Sequence, residues 1–184
     1  MAMRFNPAGA VRFDLARGRV ELGGEQVLIA ADALADLCRA AGHEATVDFG
    51  RRLGTSIGRR VSERLAGAIN DVSLEEAVDH LGGELALCGL GSLAIERWGR
   101  AMVLIVSGAP FGMNLDVLLG ATLEGALQRA FGRDVEVVKL GRDDRDVRFF
   151  VTNASAAGRV REWIGAGETY ADALARLQQQ EARS

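Results

Sequence analysis

Cysteine, lysine and aromatic residues are all scarce in this chain. Two cysteines among 184 residues do not make a disulfide scaffold. Cys38 and Cys88 sit in apolar contexts, Asp-Leu-Cys and Ala-Leu-Cys, which reads as two buried, reduced thiols in a reducing compartment. Lysine occurs once, at Lys139, and every other basic residue is arginine. The net charge is −3, so the chain lacks the overall positive field that drives binding to a phosphate backbone, and no nucleic-acid partner is expected. Aromatics amount to 5%, so the core must be built from Leu, Val, Ile and Ala. No run of 18 apolar residues exists, so no membrane span is expected. The opening Met1–Pro7 lacks the apolar stretch of a secretory signal, which makes the cytoplasm the expected location.

Motifs for chemistry are missing too. Gly89-Leu-Gly91 leads into a strand, not a helix, and so lacks the helix N-terminus that holds a pyrophosphate. There is no phosphate-loop motif, nucleophile elbow, His-Glu-x-x-His or Cys-x-x-Cys. His43 and His80 have no carboxylate or thiol at metal-site spacing and read as cap or surface residues. Asp143, Asp144 and Asp146 lack the spaced ligands of a calcium loop and read as surface charge. Neither a metal nor a cofactor is expected, and binding is favoured over catalysis.

What is present is ordinary globular material, 48% hydrophobic and 26% charged. Val11, Phe13 and Leu15 alternate with polar residues, as in a half-buried strand. A turn at Arg17-Gly18 leads to Val20 and Leu22, and Val27-Leu28-Ile29 adds a third short strand. Leu34, Leu37, Cys38 and Ala41 share one helical face that ends at Gly42. A longer helix is expected over Glu44–Ala68, with Val47, Leu53, Ile57, Val61 and Leu65 as its apolar stripe. Ser73-Leu-Glu-Glu76 is a capping box opening another helix toward Cys88, weakened by Gly82-Gly83. Ser92–Trp98 and Ala101–Ser107 flank Gly99-Arg100, which suits a type II′ hairpin. The second of these strands is apolar on both faces and should be covered on both. Leu115 to Phe131 reads as an amphipathic helix, and Val135–Leu140 and Val147–Thr152 as a hairpin around a solvated charged turn. The tail reads as two helices, Ser155–Ile164 and Thr169–Glu181.

Gly50, Gly54 and Gly58 form a strict i, i+4 stripe in the long helix. Each glycine costs about 1 kcal/mol relative to alanine in a helix, so three on one face call for close approach by something. A neighbouring helix, the sheet, a second subunit or a ligand would each satisfy that requirement.

Several phrases resemble the 4-vinyl reductase type of domain, a small-molecule-binding domain related to subunits of the TRAPP vesicle-tethering particle. They are Val27-Leu-Ile-Ala-Ala-Asp-Ala-Leu34, Phe49-Gly-Arg-Arg-Leu-Gly54, Leu90-Gly-Ser-Leu-Ala-Ile-Glu96 with Met102–Val106, and Leu119 to Val137. The resemblance covers residues 10–152. It implies an α+β fold in which an antiparallel sheet of hairpins packs against helices, usually as a homodimer. It also implies a pocket for an apolar small molecule, lined here by Phe49, Leu53, Ile57, Leu119, Thr122 and Leu123, with Trp98 as a wall. Many members carry metal-binding cysteines around the last hairpin, whereas Lys139–Phe150 has none. The expected organisation is a ligand-binding-like domain over 1–153 and a helical extension over 154–184. The expected function is a non-catalytic sensor or carrier. A scaffold with a closed pocket is the alternative, with Trp163, Ile164, Tyr170, Leu174 and Leu177 of the tail docking a protein partner. A third reading, an accessory enzyme of tetrapyrrole metabolism, would need a cofactor site that the sequence does not display.

Overall fold

The computed structural model describes residues 4–65, 72–110, 112, 115–144 and 146–182. Three very short strands, β1 (Arg12–Asp14), β2 (Arg19–Glu21) and β3 (Glu25–Gln26), form an antiparallel sheet near the N-terminus. Three helices follow, α1 (Ala31–Ala41), α2 (His43–Arg64) and α3 (Leu74–Leu87), and then the hairpin of β4 (Ser92–Trp98) and β5 (Ala101–Ser107). Next come α4 (Asp116–Phe131), β6 (Glu136–Asp143) and β7 (Asp146–Thr152), and the chain closes with α5 (Ala154–Gly165) and α6 (Tyr170–Glu181). The larger sheet has the order β4-β5-β7-β6, antiparallel throughout. The α4 connection carries the chain to the outer strand β6, and β7 returns to pair with β5. The fold is the expected α+β class with a C-terminal helical tail.

The doubly apolar β5 explains the layering. Leu104 and Val106 join Val147, Phe149 and Val151 of β7 in one core with α2, α3 and α4. Ala101 and Val103 join Val138, Leu140 and Phe150 in a second core with α5 and α6. The sheet thus lies between two helical layers. Trp163, Leu174 and Leu177 of the tail are buried in that second core, so the apolar face they form is covered by this chain's own sheet. The β4–β5 hairpin closes on Gly99 at φ +62° while Arg100 keeps a negative φ, the type II′ pattern.

The glycine stripe of α2 lies against α4. A Cβ on Gly54 would stand 2.1 Å from the carbonyl oxygen of Thr122, and one on Gly58 2.3 Å from that of Ala126. At Gly50 it would meet the Ala121 Cβ at 2.8 Å, and Gly125 of α4 answers by leaving room for the Arg51 carbonyl. Both helices advance in steps of four residues, so the contact repeats backbone on backbone along their length.

Several details differ from the sequence reading. Val27, Leu28 and Ile29 are not a strand and stand 80%, 76% and 59% exposed. Pairing between β2 and β3 ends at Val20–Gln26, one residue before Val27. Phe13 and Leu15 are likewise exposed, because so small a sheet covers little. The long helix ends at Arg64, and its expected last turn at Ala66–Ala68 lies outside the described residues. Helix α3 runs unbroken through Gly82-Gly83, where the missing Cβ atoms admit Leu93 of β4 and the ring of Phe5. That ring folds onto α3, with the Phe5 N–H donating to Asp79 at 2.7 Å, and covers His80 edge-on. His80 is therefore buried and not a surface residue. The last hairpin is longer than expected, with Asp143 paired to Asp146 and Asp144 at φ +50°.

Beneath the N-terminal sheet, the buried Glu84 of α3 accepts from Arg60 at 2.5 Å and from Arg64 at 2.7 Å. An Nη of Arg60 also reaches the Cys88 sulfur at 3.4 Å. Burial pushes the Cys88 thiol above its ordinary range despite the adjacent guanidinium, which keeps it protonated at neutral pH.

The α2–α4 contact generates a paired expectation. Gly54→Ala drives a Cβ into backbone that cannot rotate away and lowers stability by about 2–3 kcal/mol. Gly158→Ala, on α5 with open space around its Cα, raises it by up to about 1 kcal/mol. Urea unfolding of the two variants checks both signs.

Candidate functional site

Two adjoining grooves flank the N-terminal half of α4. The larger, about 710 Å³, runs between α4, α2 and β6. It is lined by His43, Val47 and Arg51 of α2, by Asp116, Val117, Gly120, Ala121 and Glu124 of α4, and by Glu136, Val137 and Lys139 of β6. Phe149 of β7 forms part of its floor, and Arg161 of α5 stands at its edge. The smaller, about 290 Å³, lies between α1, the start of α2 and the start of α4, and shares His43 and Val117 with the first. Small residues line the larger groove along α4. Gly120 lies over the Phe149 ring, where an added Cβ would come within 3.2 Å, and Ala121 directs its methyl toward Gly50.

The polar side chains are held by ion pairs. Asp116, almost fully buried at the first turn of α4, accepts from Arg142 through Nε at 3.0 and 3.2 Å and through Nη2. It also accepts from Lys139 at 2.6 Å. A carboxylate in the first turn is favoured by the helix dipole. Strict alternation would direct residues 139 and 142 to opposite faces of β6. A register shift between Lys139 and Gly141 changes the parity, so that Leu140 and Gly141 both face the tail and both cations reach Asp116. Glu124 accepts from Arg51 at 2.9 Å and from the backbone N–H of Val137 at 3.2 Å, tying α4 to α2 and β6. Glu136 pairs with Arg161 at 2.7 Å on the more exposed side. The result is an apolar floor with a rim of charged hydrogen-bonding groups, a combination suited to a small organic molecule with a polar end.

The residues singled out from the sequence fall elsewhere. Ile57, Leu119 and Leu123 are buried in the core between α2, α4 and the sheet, and Leu53 packs on the same cluster. Thr122 is buried at the α2 contact, its hydroxyl donating to the Leu118 carbonyl at 2.8 Å. Phe49 is 44% exposed on α2. Trp98 lies on the other face of the sheet, tilted against Tyr170, with its indole N–H donating to Glu96 at 3.0 Å. The structure therefore gathers four aliphatic residues into one interior and separates Phe49 and Trp98 from it. Neither groove is lined by any of the seven. Sequence reasoning missed Asp116, Glu124 and Lys139. The available signals were isolated carboxylates in an otherwise apolar helix and the single lysine in an apolar strand. Among the described residues no His, Cys, Asp and Glu cluster could hold a metal ion.

No protein-family profile matches the chain, and no curated protein matches it by sequence. Among solved structures it is similar to the phenol-responsive sensory domain of the transcription activator PoxR, solved with phenol. The TM-score is 0.60 at 15% identity, over 78% of this chain and 85% of that one. The chain has the fold of that small-molecule sensory domain. No helix among the described residues is long and apolar enough to cross a membrane.

The unequal burial of the groove's carboxylates separates their expected contributions. Asp116→Ala leaves Lys139 and the buried Arg142 facing each other and lowers stability by about 3 kcal/mol. Glu136→Ala removes a largely solvated pair and changes it by under about 1 kcal/mol. Urea denaturation curves of both variants provide the comparison.

Proposed function

We propose that this chain is a sensor module that binds a small, largely apolar organic molecule in the groove along α4. The observation that carries this reading is the groove itself. Its volume falls in the range of ligand sites, and its floor of Val117, Gly120, Val137 and Phe149 meets a rim of fixed charges. The fold shared with the PoxR sensory domain supports it, and a phenol-sized ring suits such a floor. The Phe49-Gly-Arg-Arg-Leu-Gly54 and Leu119–Val137 phrases support kinship with the 4-vinyl reductase and TRAPP-subunit group. A cytoplasmic homodimer is part of the proposal. Phe13, Leu15, Val27, Leu28, Ile29 and Leu37 support the dimer, because together they expose apolar side chains along the N-terminal segment and α1. The scaffold alternative draws on the filled interior between α2, α4 and the sheet.

The test uses the full chain with phenol as probe, read by saturation-transfer NMR alongside sedimentation velocity. The expected result is a dimer that binds phenol. Val117→Trp, at a half-buried position shared by both grooves, should keep the dimer and weaken the probe by at least about tenfold, a loss of ~1.4 kcal/mol. A folded Val117→Trp variant that binds phenol as the parent does places the site elsewhere. A parent chain that binds no small aromatic supports the scaffold.

A further inference from the structure

The charges around the groove are not evenly matched. Glu124 has Arg51 and Glu136 has Arg161, each a one-to-one pair. Among the described residues that line the groove, Asp116 is the carboxylate that serves two cations, Lys139 and Arg142. The side chain of Arg142 is only 8% exposed and makes the fork-like contact through Nε and Nη2 that suits a guanidinium and a carboxylate. Lys139 is different. Its side chain is 42% exposed and lines the groove, and among the described residues its ion partner is Asp116 alone. An ammonium carries three donors. If Lys139 turned to another acceptor, Asp116 would remain neutralised by Arg142. Exchange at Arg51 or Arg161 would instead strand Glu124 or Glu136 without its cation.

We infer that Lys139 is the ligand-recognising cation of the groove, and that the ligand class is a small organic acid. Its anionic oxygen meets the Lys139 ammonium, and its apolar body lies on the floor of Val117, Gly120 and Val137. This inference rests on the groove reading and adds the charge of the ligand. Two features of the fold place the residue there. The bulge in β6 brings Lys139 and Arg142 onto one carboxylate, and Gly120, which lines the groove together with Lys139, puts no side chain over the Phe149 ring. A neutral ring would leave the excess positive charge to solvent, whereas a carboxylate compensates it.

The single lysine makes the test direct. Selective 13C-lysine labelling of the full chain yields one Hε–Cε correlation, that of Lys139. The probes are benzoate and its neutral isostere benzamide, with affinities taken from saturation-transfer titrations. Benzoate should shift the Lys139 signal and bind at least about tenfold more tightly than benzamide, the size expected of one charge-assisted hydrogen bond. Lys139→Met should remove that preference, bringing benzoate to no more than the affinity of benzamide. Equal affinity for the two probes, or a Lys139→Met variant that still prefers benzoate, overturns the inference and leaves the groove reading standing. If Val117→Trp binds both probes unchanged, the groove reading itself fails. If neither probe binds the parent chain, both fall.

Discussion

Backbone-to-backbone contact between α2 and α4 is the constraint on which the rest of the structure depends. Gly50, Gly54 and Gly58 on one helix and Gly125 on the other bring carbonyl groups to distances that a Cβ would forbid. Four glycines within two helices sacrifice about 4 kcal/mol of intrinsic helix propensity. In return the pair presents one closely knit layer to the sheet, and Ile57, Leu119 and Leu123 are fully enclosed beneath it. The layer also fixes where α4 stands relative to β6. On that flank α4 carries Gly120 and Ala121, which do not fill the space, and the larger groove results.

The charged groups follow the same frame. Glu124 reaches Arg51 because α2 is close, and it reaches the Val137 N–H because α4 crosses the start of β6. Asp116 gathers Lys139 and Arg142 because a bulge reverses the parity of the strand between them. Such pairs bring geometric definition more than net stability, since the desolvation of buried charges offsets much of their attraction. The other face of the sheet is dry by comparison. There the tail supplies Val160, Trp163, Leu174 and Leu177, and the sheet behind the groove is packed between two cores. A rigid wall on one side and a glycine-locked helix pair on the other make a suitable frame for a binding site.

Features governed by local period were legible in the sequence. The strict spacing of Gly50, Gly54 and Gly58 announced a close contact, and the unbroken apolar run of β5 announced a sheet covered twice. Helix ends were legible where a cap is chemical, as at Ser73, which accepts from the Glu76 N–H, and at Gly42. What sequence could not reveal depends on distant partners. Trp98 lies on the tail side of the sheet because β4 alternates there, and nothing local states which face the tail covers. His80 is buried because Phe5 returns from 75 residues away in sequence. Val27 to Ile29 have strand composition, yet among the described residues they pair with no strand and stand exposed. The groove residues carried no motif, since their meaning arises from a bulge and from a glycine contact with another helix.

Mapping a bound probe onto assigned methyl groups decides whether the groove along α4 is the binding site. With a small aromatic added to the full chain, the methyls of Val47, Val117, Ala121 and Val137 should shift together. Those of Val103 and Val160, in the core beyond the sheet, should stay in place. Shifts confined to Leu119 and Leu123 would put the ligand inside the core between helices and sheet, and shifts confined to Val103 and Val160 would put it under the tail. Either pattern would contradict the groove as the binding site.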